Sequence, residues 1–422
     1  LKKRRQVLLF LVALAIITFL DRIAISSAGP RIQQELNISP AQWGWVLGAF
    51  ILAYGVFEIP CGAMGDRRGP RGVITRIVLW WSAFTALTGV AWSFAPLAAI
   101  RFLFGAGEAG AYPNMSAVIA RWFPTGERAQ AQGSIWAASR FGGALAPLLV
   151  IPLQAVVGWR WAFALLGAAG VTWSAAWRFW FHDSPAAQPG ITQQELREIG
   201  ITNERAAHES TPWRQLSAQP QLWLIVVMYF CYAWGSWFFF GWYPTWMMKG
   251  AGFTERDMGI YSALPFLLGA AGNLIGGFLS DHMVRWIGLK KARRMVGSAS
   301  LVVSSLLLLS MTLTHNHAAI VILSSLGFGV ADLMLPTAWA LCLDIGSAHA
   351  GLVTSVMNSA GQFGGFVCSV VFGYVVGATG NYNAPVWGVA AMVFVAALLF
   401  TRIDASRPLF EMTGATSMRA RL

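Results

Sequence analysis

Charge is scarce in this chain. Asp, Glu, Lys and Arg together supply 11% of its 422 residues, against about 25% in an ordinary soluble domain. A solvated globular surface over most of the length is therefore excluded. Cysteine and histidine are also few, at four and six. Cys61, Cys231, Cys342 and Cys368 all fall inside apolar runs, and the histidines fall in loops or near the ends of runs. That pattern argues against a disulfide framework and a Cys/His metal cluster. No set of nucleophile, base or metal ligands at one depth points to a membrane enzyme, and no metal or organic cofactor is expected.

What the chain has in quantity is apolar sequence, 56% of its residues. A hydrocarbon core of about 30 Å needs roughly 20 apolar residues per helical span. Twelve stretches qualify: about 6–27, 42–63, 73–93, 96–121, 129–154, 160–181, 221–248, 256–281, 294–314, 318–343, 350–378 and 382–403. Gly and Pro recur inside them, which lipid-embedded helices tolerate. The first stretch is too long for a signal-peptide core and lacks a convincing cleavage site. The expectation is an all-α membrane protein of twelve spans.

The net charge of +12 raises the possibility of nucleic acid. Its placement excludes that partner. With the N-terminus in the cytoplasm and alternating loops, most of the 30 Lys and Arg fall on the cytoplasmic side, including Lys2–Arg5, Arg67/Arg68/Arg71 and Lys290/Lys291/Arg293/Arg294. Such a bias sets orientation. It places both termini in the cytoplasm, with a bacterial inner membrane as the expected location.

The longest polar stretch, 182–219, separates six spans from six. It reads as a cytoplasmic linker between an N-terminal bundle (1–181) and a C-terminal bundle with a short tail (220–422). Within it, "TQQELREIGITNER" has the pattern of a short amphipathic helix. The bundles echo each other. "GAMGD" (Gly62–Asp66) closes span two and "GFLSD" (Gly277–Asp281) closes span eight; "SRFGG" (Ser139–Gly143) lies in span five and "GQFGG" (Gly361–Gly365) in span eleven. Two echoes in matching spans indicate an internal duplication. Two such halves related by an axis along the membrane normal describe a transporter with its site between them.

The stretch "GAMGDRRGPR" resembles the loop between spans two and three of the major facilitator superfamily, and the likeness extends over essentially the whole chain. More narrowly, "TFLDRIAIS", "RFLFGAGEAGAYPN", "RWFPTGERAQAQG" and "NSAGQFGG" resemble the anion:cation symporter family. That family includes proton-coupled sugar-acid carriers, aromatic-acid and dicarboxylate carriers, and animal organic-anion carriers. The resemblance implies alternating access and coupling to protons. It implies substrate contact for Arg22, Tyr54 and Trp339, and proton coupling for Asp21 and Glu108, with Arg101 linked to Glu108.

The residues support the same assignments by their chemistry. A charge at the bilayer centre costs at least about 2.5–3.5 kcal/mol, so it faces a cavity or a partner. The charges inside spans are Asp21, Arg22, Glu58, Arg101, Glu108, Arg140 and Asp332. Arg101 and Glu108 are two helical turns apart and share a face. The guanidinium of Arg22 matches a carboxylate bidentately and keeps its charge while neighbouring acids titrate; its bland alternative is an ion pair with Asp21 or Glu108. Arg140 stands where many relatives have a neutral polar residue. It either binds a second carboxylate of the substrate or pairs with Glu58 or Asp332. Ser139 adjoins it. Asn358 and Gln362, one turn apart, offer amides from the opposite half. Phe19 replaces a tyrosine common in the family, which weakens the transfer of substrate identity. Asp66, Arg67, Arg68 and Asp281 read as a conformational latch, or as topology-setting charge.

The resulting expectation is import of an organic acid anion, first a sugar acid such as a hexuronate, aldonate or aldarate, by proton symport in a monomer embedded in lipid. Aromatic acids or dicarboxylates are the alternative. A drug/proton antiporter shares the fold, but "GGALAPLL" in span five matches its motif poorly, and the pocket is arginine-rich.

Overall fold

The computed structural model describes residues 2–199, 216–346, 350–407 and 409. The protein is 86% helix, and among the described residues there is no strand. Among the described residues eight helical stretches are long and apolar enough to cross a bilayer, and Ala384–Phe400 is a shorter apolar helix. Inside lipid every backbone N–H and C=O must find its partner within the segment, which a helix alone provides without a closed barrel.

Helix α1 spans Lys3–Ser27 and is followed by the short α2, Gly29–Glu35. Next come α3 (Pro40–Arg68) and α4 (Pro70–Thr88). The fourth apolar stretch is divided into α5 (Phe94–Glu108) and α6 (Ala111–Trp122), with the break immediately after Glu108. Residues Thr125–Trp180 form α7, which turns at Gly158. There φ is +79°, a conformation that only glycine adopts cheaply. The expected boundary between 154 and 160 is thus a one-glycine reversal rather than a loop.

A helix at Gln193–Ile199, α8, occupies part of the expected amphipathic segment; the remainder of that segment, 200–205, lies outside the described residues. Glu195 on α8 accepts from the Lys3 and Arg4 backbone amides at 3.0 and 2.8 Å. Those are orphan donors of the first turn of α1, and a carboxylate also suits the positive end of the helix. Asp183 does the same for α4, accepting from Arg71 N at 2.7 Å. Helix α8 and the segment before it are therefore tied to the terminus-bearing end of the bundle.

The second half begins with α9, Pro220–Trp237. A wide π turn at Phe238–Trp242 leads into α10, Tyr243–Lys249. Pro244 explains the turn: it has no N–H to offer the carbonyl one turn back, and its ring crowds that carbonyl. Then follow α11 (Glu255–Tyr261), α12 (Ala263–Ile287), α13 (Leu289–Met311), α14 (His317–Asp332), α15 (Met334–Gly346), α16 (Ala350–Thr379) and α17 (Ala384–Phe400). The last described residues return to the same end as residue 2. Gln221 donates to Asp404 O at 2.8 Å, and Lys290 pairs with Asp404 at 2.6 Å.

The halves meet along two seams. One joins α3 to α16, the other α7 to α12. In the first, Gly44 lies against the Ser369 backbone, with no room for a Cβ, and Gly48 lies against the Val370 and Phe366 side chains, where a Cβ would fit only tightly. Small residues of this kind let membrane helices approach closely. At the end opposite the termini, polar contacts also cross between halves. Arg31 pairs bidentately with Glu255 (2.6 and 2.8 Å), Gln154 donates to Glu255 (2.8 Å), and Gln33 contacts both Thr245 (3.2 Å) and Lys249 (3.3 Å).

Candidate functional site

The centre of the molecule holds the charges that the apolar spans carry. Arg22 on α1 grips Glu108 at the end of α5: its Nε lies 3.1 Å from Glu108 Oε1, and Nη2 donates to the same oxygen. Glu108 is fully buried and Arg22 is 8% exposed. Three rings surround the guanidinium, Phe19 at 4.8 Å, Tyr54 at 4.9 Å and Phe50 at 5.3 Å. Cation–π contacts with desolvated rings stabilise the cation without consuming its hydrogen bonds. Among the described residues Arg22 Nη1 donates no hydrogen bond within the protein.

Asp21, beside it in sequence, faces the other way. Thr85 donates to Asp21 Oδ2 at 3.4 Å, while among the described residues Oδ1 accepts no hydrogen bond. Glu108 Oε2 likewise has none. Each acid therefore has one oxygen free to receive a proton. Arg101 is 1% exposed and packs on Phe104 (4.3 Å) and Phe50 (5.1 Å). It lies within electrostatic range of Glu108 and Asp21, as a shared helix face with Glu108 leads one to expect, but forms no direct ion pair with either among the described residues.

Arg22 and Arg101 both line a narrow cleft between the halves, whose other walls include Phe50, Trp237, Phe240 and Ser369. The π turn at Phe238–Trp242 supplies Phe240 and Gly241 to it.

Arg140 stands apart from that cleft. It pairs with Asp332 of the opposite half, Nη2 to Oδ2 2.9 Å. Asp332 is fully buried and takes two further hydrogen bonds, from Tyr232 (3.1 Å) and Asn273 (3.0 Å). Of the two sequence readings of Arg140, this geometry is the resident-partner one. Glu58, the other candidate partner, is held instead by Asn358 Nδ2 at 3.1 Å to each carboxylate oxygen.

The remaining predicted residues are distributed around these pairs. The Ser139 hydroxyl contacts Tyr112 (2.7 Å) and its own helix backbone at Ile135. Trp339 donates to Tyr229 (3.4 Å) and meets Trp136 edge-to-face at 5.6 Å across the halves. Gln362 packs over Gly55, and its Oε1 has no partner among the described residues. Asp281 belongs to a cluster in the second half: Arg293 reaches Asp281 at 3.0 Å and Asp344 at 3.1 Å. The side chains of Asp66, Arg67 and Arg68 lie outside the described residues. Sequence reasoning did not single out Phe50, Thr85, Tyr112, Trp136, Tyr232 or Asn273. Asn273 and Thr85, polar residues in apolar runs, carried a signal; Phe50, one aromatic among many, carried none.

Such a molecule is a multi-pass membrane carrier, built around a cationic site between two helical halves. It belongs to the Major Facilitator Superfamily, whose signature matches residues 11–369. The chain is 36% identical over 402 residues to the probable sulfoacetate transporter SauU of Cupriavidus necator, covering 94% of this chain and 93% of that one. It is 28% identical to the probable L-galactonate transporter of Escherichia coli (89% and 84% covered) and 26% identical to the hexuronate transporter of Bacillus subtilis (96% and 97% covered). In fold it is similar to a bacterial homologue of the human lysosomal transporter Spinster in an inward-facing, occupied conformation, with TM-score 0.80, 18% identity and coverage of 97% and 99%. These likenesses make the chain a carrier rather than an enzyme and agree with its resemblance to the anion:cation symporter family.

Proposed function

We propose that this protein imports a small organic acid anion across a bacterial inner membrane by proton symport. Its two six-helix halves, 1–181 and 220–422, joined by the linker 182–219, alternate around the central cleft. In this reading twelve spans cross the membrane, both termini are cytoplasmic, and the monomer is the working unit. The observation that carries the proposal is the arrangement of Arg22: one edge fixed by Glu108, three rings around it, and Nη1 free beside a cleft between the halves. A permanently charged, pre-oriented guanidinium is what carboxylate recognition requires.

Asp21 and Glu108 are the proton sites. Their partnerless oxygens support that role, as does the coupling logic. A proton on Glu108 weakens its hold on Arg22 and frees that group for substrate. Substrate binding, in turn, competes with Glu108 for Arg22 and favours its protonation. Two sites that share one partner are coupled reciprocally. The outer-end contacts around Arg31 and Glu255 describe a state closed on that side. The cluster of Asp281, Arg293 and Asp344, with Asp66, Arg67 and Arg68 in the matching loop, serves as the latch on the cytoplasmic side.

Relatives named for galactonate and hexuronate support a sugar acid as cargo; the relative named for sulfoacetate supports a smaller dianion. The test is uptake into vesicles containing the purified protein, with a pH gradient imposed in either direction. The acid should accumulate only when the outside is more acidic, with alkalinisation of the medium. Uptake indifferent to the gradient rejects symport.

A further inference from the structure

Arg101 poses an unanswered question of pairing. It is 1% exposed, and among the described residues it forms no hydrogen bond and no ion pair. A buried charge without a partner is expensive, by several kcal/mol even after relaxation. The rings of Phe104 and Phe50 offset only part of that. Glu108 does not relieve it: one carboxylate oxygen is committed to Arg22 and the other reaches no donor.

The position of Arg101 suggests what does. Arg22 and Arg101 sit on the Phe50 ring at 5.3 and 5.1 Å and line the same cleft. Two guanidinium groups are thus presented to one small space. Glu58 is also within range of Arg22 but is held by Asn358, which leaves Asp21 and Glu108 as the titratable acids facing the two guanidinium groups. With both protonated, this group of four side chains carries a net charge of two positive units, which a doubly charged anion neutralises. The rest of the lining bears on the body of the ligand. It is mainly Ile25, Leu47, Ile51, Phe240 and Trp237, with the Ser369 hydroxyl nearly alone as an uncharged polar group. A chain of four or five hydroxyls would lose its water there without replacement hydrogen bonds. A short methylene body would not. Arg140, the other arginine available for a second anionic group, is already neutralised by Asp332.

We infer that Arg101 is a second anion receptor, and that the preferred substrate is a short aliphatic dianion whose two acidic groups bridge Arg22 and Arg101. This inference rests on the organic-anion carrier reading of the same site and adds the charge and size of the cargo to it.

The test is binding by calorimetry to the full-length protein in detergent, with malonate and sulfoacetate against monomethyl malonate and galactonate. In the wild type, a dianion should bind more tightly than the methyl ester and galactonate. Arg101→Gln should weaken dianion binding by at least about thirtyfold, the range for a truncated buried charge pair. It should change methyl-ester binding by less than about threefold, and Arg101→Lys should recover part of the loss. Equal weakening of both ligands by Arg101→Gln, or a wild type that prefers galactonate, overturns the inference but leaves the carrier reading intact. Absence of binding by all four anions overturns both. The wild-type ranking stands as a test even where the variants do not fold.

Discussion

Arg140 and Asp332 come from opposite halves of the chain and meet in a 2.9 Å ion pair, with Asp332 completely buried. The pair thus ties the two halves together. Breaking a buried pair by removing one partner leaves a stranded charge and costs about 3–5 kcal/mol, whereas removing both charges together is far milder. Arg140→Gln and Asp332→Asn are each expected to lower the melting temperature in detergent markedly. The double substitution is expected to regain most of the loss. Additive losses would show that the two side chains do not act as a pair.

The pair at the end opposite the termini, Arg31 with Glu255, is more exposed, at 37% and 28% for the two side chains. Its worth is correspondingly small, about 1 kcal/mol or less, and sensitive to salt. Glu255→Gln should shift the population toward the outward-open form by about fivefold at most. Spin labels at the exposed Ser39 and Asn316, with the four native cysteines replaced, would report a longer distance population. High ionic strength should move the parent protein in the same direction and the variant hardly at all.

Asp21→Asn and Glu108→Gln separate coupling from binding. Either should abolish accumulation driven by a pH gradient while leaving exchange of labelled for unlabelled substrate across the vesicle membrane measurable. Glu108→Gln should also weaken the fixation of Arg22, so its exchange should be the slower of the two. Retained accumulation in both variants would remove these acids from the proton pathway.

Much of this organisation was legible in the chain because membrane helices announce themselves by length and apolarity. The all-helical architecture follows from the long apolar stretches, eight of which, among the described residues, form helices long and apolar enough to cross a bilayer, and the scarcity of charge inside the stretches isolated Asp21, Arg22, Glu58, Arg101, Glu108, Arg140 and Asp332 at once. The pairing among those charges was not legible. Arg22 and Glu108 are 86 residues apart, Arg140 and Asp332 192. Several acids satisfied each arginine equally well until the helices were packed. Local irregularities were missed for a different reason. The break after Glu108 and the π turn before Pro244 interrupt apolar runs whose composition does not change across them. The unpartnered state of Arg101 was beyond sequence altogether, since a shared face with Glu108 predicts a contact that the packing does not make.

The central claim is that Arg22 receives the anionic group of the substrate. Calorimetric titration of the transported acid into the parent protein and into Arg22→Ala tests it most directly, with Arg22→Lys as the control that keeps charge but loses the planar fork. The predicted result is a loss of at least about thirtyfold in Arg22→Ala, with partial retention in Arg22→Lys. An unchanged dissociation constant in a folded Arg22→Ala would contradict the account.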